Sequence, residues 1–281
     1  MGLFDRFRKK MPESNGEETP EWPKPPREDT MTLLLMDRVL EDIDPALERL
    51  REVFGKKSVS GVDRSHPKVP AFIVKVEGLE FWCSYLPMPV PETTQNIPAK
   101  VPHNLFLEPE ERDAFCAHQS FWLLAQKKGG RTLESKRQVC WAFSLLCAAL
   151  LELEGAVGVS VANTGLLVSR EHYLFQRGQM EGRTWNDPDF FPVTLWIWLY
   201  RGLSEKKPTL ETQGMREFGL PDLGFFDPEQ PIQDVLNYLH TMACFQITGQ
   251  QLYRDRTLIP LTEEVEVVCK RSGEKLYFIG C

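Results

Sequence analysis

The side chains of this sequence that could do chemistry are few and scattered. Five histidines stand at 66, 103, 118, 172 and 240, none at metal-ligand spacing from another or from a cysteine pair. Seven cysteines stand at 83, 116, 140, 147, 244, 269 and 281, with no C-x-x-C among them. Structural zinc takes four ligands in close pairs, so no metal site is expected. An odd number of cysteines, with Cys140 and Cys147 on one apolar helix, fits reduced buried thiols better than a disulfide framework. Cys116 and His118 are near enough to suggest a thiolate and its base. A nucleophilic pair needs a third group to orient the imidazole, however, and the sequence offers none. Arg170-Glu171-His172 could supply acid–base groups, but a solvated first helical turn explains it. Asp187-Pro188-Asp189 reads as Asx-turn chemistry. With no phosphate loop, dinucleotide glycine fingerprint or serine elbow, no catalytic residue and no cofactor is assigned.

Two stretches suggest binding rather than catalysis. Glu211 to Leu223 is punctuated by Gly214 and Gly219, and the tight loop they define would present Thr212, Met215 and Phe218. Ordered loops on rigid scaffolds commonly carry recognition, and His172 joins these three as an interaction candidate. The competing reading is a buried helix-and-turn connector with Phe218 inside. At the N-terminus, Leu3, Phe4, Phe7 and Met11 form one apolar stripe if the segment is helical, with Arg6, Arg8 and Lys9 off it. That is the pattern of an interfacial helix or of a peptide that docks in a partner's groove. The competing reading is a solvated tail, because isolated helices this short are marginal. No myristoylation motif accompanies it.

Composition narrows the classes. The chain has 281 residues, 42% hydrophobic and 26% charged, as in soluble globular proteins. A net charge of −7 and a pI near 5.4 argue against a general nucleic-acid binder, though not against a local basic patch. No secretory signal is read, and the longest apolar run, 139–151, is shorter than the about 20 residues a spanning helix needs. The expectation is a cytoplasmic protein whose partner is another protein. No nucleic acid is expected, and at most weak membrane-surface contact through the N-terminus.

The elements that must position these residues centre on 131–170. Thr132 can cap a helix whose residues 139–151 are apolar except for Ser144, and Gly155 ends it before the strand Ala156 to Ala162. Ahead of it lie a strand at Thr32 to Met36 and a helix opened by Asp44-Pro45 with Leu47, Leu50, Val53 and Phe54 inward. A hairpin follows around Glu77-Gly78, then a proline-rich surface connector from Leu86 to Pro102. His118 to Gln126 reads as a strand, and Ser169 as the cap of a short helix. Val193 to Tyr200 reads as a strand buried on both faces. A further helix is expected from Asp227-Pro228 with Ile232, Val235, Leu236 and Leu239 inward. Strands are expected at Thr257 to Leu261, Val265 to Lys270 and Lys275 to Gly280. The fold class is α+β: a mixed sheet flanked by helices, in two β-α-β-β units plus a strand-rich C-terminal part. Residues 1–29 form a basic amphipathic N-terminus with a Pro/Glu-rich linker, and 30–281 a single α+β domain. The far side of the long helix is expected to lie under the helix from Asp227, the Leu86–Pro102 connector and the helix after Ser169.

Four pieces in this order resemble a known family. They are the strand after His118; Gly155-Ala156-Val157-Gly158-Val159 leading to Gly165-Leu166-Leu167-Val168-Ser169; Pro192-Val193-Thr194-Leu195-Trp196; and Thr212-Gln213-Gly214-Met215-Arg216-Glu217-Phe218-Gly219-Leu220-Pro221-Asp222-Leu223. Together they are similar to the bacterial domain of unknown function 4261, from about Met31 to the C-terminus and most clearly over 118–223. The resemblance implies an intracellular α+β domain with no assigned reaction and no catalytic residues to carry over. The functional expectation is a non-catalytic protein-binding module of the immunity or adaptor kind. The alternative is a hydrolase or transferase whose site is assembled from residues distant in sequence.

Overall fold

The computed structural model describes residues 30–65, 69–126, 130, 132–204, 206–261 and 266–280. The N-terminal stripe of Leu3, Phe4 and Phe7 lies outside the described residues, as do His66 and Cys281. The fold is α+β. In place of the one mixed sheet expected, it is built on two.

The first sheet draws on the N-terminal half of the described chain. Strand β1 (Met31–Met36) leads to helix α1 (Asp44–Phe54), then to β2 (Val59–Asp63), β3 (Ala71–Val76) and β4 (Leu79–Leu86). Pro45 sits in the first turn of α1, where its missing N–H is no loss. Leu47 and Leu50 turn inward as expected, but Val53 faces solvent at 43% exposure. Glu77 (φ 50°) and Gly78 (φ 81°) both adopt positive φ, as the tight mirror-type hairpin turn requires. After short helices α2 (Ile97–Lys100) and α3 (Pro109–Cys116) come β5 (Ser120–Gln126), helix α4 (Leu133–Leu151), β6 (Ala156–Val161), β7 (Leu167–Ser169) and helix α5 (Arg170–Gln179). The strand order is β2-β3-β4-β5-β1-β6-β7, antiparallel throughout. The two expected runs merge in it, the first enlarged by the extra strand β2, because their first strands, β1 and β5, pair side by side.

The second sheet holds β8 (Trp198–Ser204), β9 (Lys207–Gln213), β10 (Asp222–Phe226), β11 (Leu258–Pro260), β12 (Glu266–Ser272) and β13 (Lys275–Gly280), with helix α6 (Ile232–Thr248) inserted after β10. Its order is β11-β12-β13-β10-β9-β8, and β10–β13 is its parallel pair. Two expected boundaries fail here. Val193–Leu195 is a 3-10 turn after Pro192, so the strand starts at Trp198. The apolar run is buried instead by Trp196, whose indole N–H donates to Ser144 Oγ at 3.0 Å. Asp227 does not open a helix either. Its N–H still bonds Pro208 O at 2.9 Å along the sheet, and α6 begins only after Pro231. Ile232 is therefore 43% exposed, while Val235, Leu236 and Leu239 are buried.

One apolar cluster joins the sheets. It contains Leu34, Trp122 and Val159 from the first, Phe143, Leu146, Cys147 and Leu150 from α4, Leu239 and Met242 from α6, and Leu223, Phe225 and Phe278 from the second. The four α4 residues named are each 0% exposed. Thr132 Oγ1 caps α4 by accepting the Ser135 N–H at 3.1 Å. The far side of α4 is covered by α5, by the turn Met215–Phe218 and by Trp196 rather than by the proline connector. That connector lies over the opposite face of the first sheet. There Val90, Ile97, Val101, Leu107 and Phe115 cover Leu33, Leu35, Phe121 and Leu167.

Candidate functional site

Alternation along the second sheet sorts its side chains cleanly. Leu199, Leu210, Leu223, Phe225, Leu276 and Phe278 point into the core at 0–3% exposure, so their sequence neighbours point outward. Strand register then lines up Tyr200 (β8), Glu211 (β9), Gly224 (β10), Tyr277 (β13) and Lys270 (β12) as one row across five strands of the outer face. Sheet pairing thus gathers into one place residues that are far apart in sequence.

Glu211 is the centre of this row and is only 4% exposed. Tyr200 OH donates to its Oε2 at 2.7 Å, and Thr209 Oγ1 and Tyr277 OH donate to Oε1 at 2.7 and 3.1 Å. Lys275 Nζ completes the set with an ion pair to Oε2 and a 3.0 Å bond to the Tyr200 hydroxyl. Two glycines leave room for the carboxylate. A Cβ at Gly202 would meet Thr209 Oγ1 at 2.7 Å, and one at Gly224 would meet the Tyr277 ring at 2.9 Å. Burial alone would raise the Glu211 carboxyl, but donation from Lys275, Thr209 and Tyr200 outweighs it and holds the group below its ordinary value. Burial likewise opposes the Lys275 charge, and Glu211 and Tyr200 more than reverse this, so the ammonium titrates above its ordinary value. Burial, then the neighbouring carboxylate, pushes the Tyr277 phenol up to about 12. At neutral pH the cluster is one carboxylate, one ammonium and two neutral phenols.

Aromatic rings surround this anchor. Trp198 packs beside Tyr200 at 5.3 Å between ring centroids, and Phe226 stands edge-on to Tyr277 at 6.5 Å. Lys207, paired with Asp227, holds its Nζ 5.6 Å from the Phe226 ring centre. All four rings are half-buried, and Lys207 and Lys270 are exposed. The carboxylate has a donor on each lone-pair side, so it cannot accept a proton from a substrate without dismantling the cluster. Two of the three Lys275 donors are engaged within it, leaving one for an incoming acceptor. The arrangement holds half-buried aromatic rings around a bonded carboxylate–ammonium pair on the outer face of the sheet.

No family model, curated protein or solved structure matches this chain. Its chemistry therefore has to be read from its own residues.

The expected recognition loop is corrected by the structure. Thr212 and Met215 are each 0% exposed and Phe218 is 2% exposed. Gly214 and Gly219 do make the tight turn, but they fold it inward. Thr212 Oγ1 accepts the Leu223 N–H at 2.8 Å and donates to Asp222 Oδ1 at 3.2 Å, and the Met215 N–H donates to the same oxygen at 3.1 Å. Phe218 meets Phe191 edge-on at 5.4 Å. The stretch clamps the second sheet to α4. His172 is half-buried at the start of α5, bonded through Nε2 to Thr194 Oγ1 at 2.9 Å and stacked on Phe106 at 6.3 Å. It lies in a different part of the molecule from the Glu211 row, and the structure does not bring it together with Thr212, Met215 or Phe218.

The possible nucleophile and base are also accounted for. His118 Nε2 accepts the Val90 N–H at 2.9 Å, so its Nδ1 carries the proton donated to Phe115 O at 2.7 Å. Nε2 fastens the connector at Val90 and Nδ1 bonds the last turn of α3, so neither serves the exposed Cys116. Burial pushes the Cys147 and Cys244 thiols up to about 11 and Cys269 to about 12, with Cys83 and Cys140 also raised. Among the described residues, no group of three or more His, Cys, Asp or Glu could hold a metal ion, and no helix is long and apolar enough to cross a membrane. A small cleft at the first turn of α4 is lined by Lys136, Asn163 and Glu217 among others. Its carboxylate accepts from Asn163 Nδ2 at 3.2 Å, and no histidine lines it.

Proposed function

We propose that this protein is a non-catalytic protein-binding module, and that its contact surface is the outer face of the second sheet. The observation that carries this reading is the row Tyr200–Glu211–Tyr277 with Lys275: a buried, fully bonded carboxylate, paired with a half-buried ammonium, that fixes half-buried aromatic rings. Trp, Tyr and cationic side chains on a rigid surface are the composition of energetic centres in protein interfaces. Rings that are already locked lose little conformational freedom on association. The charged groups at the edge of the row are Lys207 with its partner Asp227, Lys270 and the half-buried Lys275, so the surface suits a partner patch that is apolar and offers a carboxylate to Lys270 or to the third Lys275 donor. An adaptor or immunity protein of the kind expected from the sequence would work in this way, by contact alone.

The test compares three full-length proteins as bait: the natural chain, Tyr200→Ala/Tyr277→Ala, and Phe175→Ala, whose ring is 61% exposed on α5. A protein retained by the natural chain and by Phe175→Ala, but lost from the double variant, supports the reading. Equal retention by all three sinks it. So does a chemical turnover that survives the double variant.

A further inference from the structure

The outer face of the first sheet is not covered along its whole length. The connector shields β1, β5 and β7 at Leu33, Leu35, Phe121 and Leu167. One row further along, toward the start of β1, register places Ile73, Trp82, Ala125 and Met31 side by side on β3, β4, β5 and β1. Trp82 is 48% exposed, whereas its neighbours Phe81 and Cys83, on the inner face, are at 0%. Ile73, Ala125 and Met31 are half-buried. Four apolar residues in a line, one of them a tryptophan, make a surface that a soluble chain ordinarily hides.

Where this row lies decides the occupant. Met31 is both its last member and the residue at which β1 begins, so residues 1–29 join the described chain at the edge of the patch itself. Those residues carry the stripe of Leu3, Phe4, Phe7 and Met11, followed by a tether with prolines at 12, 20, 23, 25 and 26. Four strands span about 14 Å at the usual strand spacing. A tether covering residues 12–29 reaches several times that distance at roughly 3 Å per residue. Attachment within one chain makes the contact intramolecular, so it does not depend on the concentration of protein in solution. A separate partner would have to reach the row from solution.

We infer that the apolar stripe of residues 3–11 docks in cis on the Ile73–Trp82–Ala125–Met31 row, so that the chain covers its own open half-face. Phe4 and Phe7 are the side chains that meet Trp82, ring against ring. The basic residues Arg6, Arg8 and Lys9 then face solvent. The surface differs from the one in the proposed function, and the inference does not depend on that reading.

The test is a photo-crosslink in the otherwise intact chain. A benzophenone amino acid replaces Phe7, the protein is irradiated at low concentration, and crosslinked peptides are located by mass spectrometry. The inference expects an intrachain crosslink into 71–86, 120–126 or 31–36. Trp82→Asp and, separately, Ile73→Lys should each cut its yield about tenfold, with unchanged circular dichroism. Both sites are at the surface, and two independent variants guard against a folding failure in either. A crosslink between two chains would mean that a second copy takes the stripe. A crosslink on another face, no crosslink, or one undiminished in both variants also overturns the inference. So does tight binding to anionic lipid vesicles that is as strong in the natural chain as in Trp82→Asp, because a docked stripe would be withheld from the membrane.

Discussion

The outer faces of the two sheets solve the same problem in opposite ways. Both sheets turn one face to the shared core. On the first, most outward positions are aliphatic or aromatic, and about half of that face is covered by a connector fastened through His118. On the second, outward side chains of neighbouring strands, Thr209 and Glu211 on β9, Lys275 and Tyr277 on β13 and Tyr200 on the edge strand β8, satisfy one another. An apolar face must be covered, because exposing it costs about 25 cal/mol per Å². A face whose charge is buried under its own partners needs no such cover and stays open to the surroundings. The contrast separates surface used to build the fold from surface left free to meet something else.

The largest expected effect tests the covered face. Phe115 on α3 is 0% exposed in the layer that covers this face, and Phe115→Ala should cost about 3–5 kcal/mol in urea denaturation. Partner capture through the second sheet should survive wherever the protein is folded. Next comes Lys275→Met, which strips the cation from Glu211 and should cost about 1.5–3 kcal/mol, the range for hydrogen bonds to charged groups. The sign with pH follows from Glu211. Its carboxyl is held low in the folded state, so its stabilisation is present above the unfolded value of about 4.3 and is lost as pH falls through the folded one. Lys275→Met should flatten that acid limb of a stability profile, and an unchanged limb would show that the pair is ornamental.

A second carboxylate in the same sheet should act in the opposite direction. Burial raises Asp222 to about 6, against an opposing contribution from the Met215 N–H and Thr212 hydroxyl. Between about pH 4 and 6 the folded state then binds more protons than the unfolded one, so stability falls as pH rises through that window. Asp222→Asn should remove this slope, a change on the order of 2 kcal/mol across it, read from denaturation at closely spaced pH values. The smallest effect is that of Tyr200→Phe. It deletes one donor to Glu211 and should cost about 0.5–1.5 kcal/mol, while weakening capture less than removal of the ring does.

What the sequence conveyed depended on how local each interaction was. The Thr132 cap, the Glu77-Gly78 turn and the apolar body of α4 are settled within a few residues of chain, and all were legible. The run Val193 to Tyr200 was not, because a continuous apolar stretch has no period to distinguish strand from turn. Its first half was claimed by the core through Trp196 and Ser144. Gly214 and Gly219 correctly marked a tight turn. Glycine does not say which side of the chain the turn will face, and here Asp222 pulls it inward. The Glu211 cluster had no signature at all, since Tyr200, Glu211 and Lys275 come from separate strands. The alternation in Thr209-Leu210-Glu211-Thr212, with a carboxylate on one face of a short strand, was the nearest hint.

The position of β13 between β10 and β12 has a consequence in time. Lys275 lies 64 positions after its partner Glu211. At roughly 5–20 residues per second of synthesis, the ribosome delivers the cation several seconds after the anion. Through that interval Glu211 can be hydrated but not paired, and β10 offers an open parallel edge where β13 will later insert. The sheet can therefore close only from its late-made side. A nascent chain halted between α6 and β13 would display an unpaired strand edge, which is where chaperone engagement or mispairing with another copy would begin.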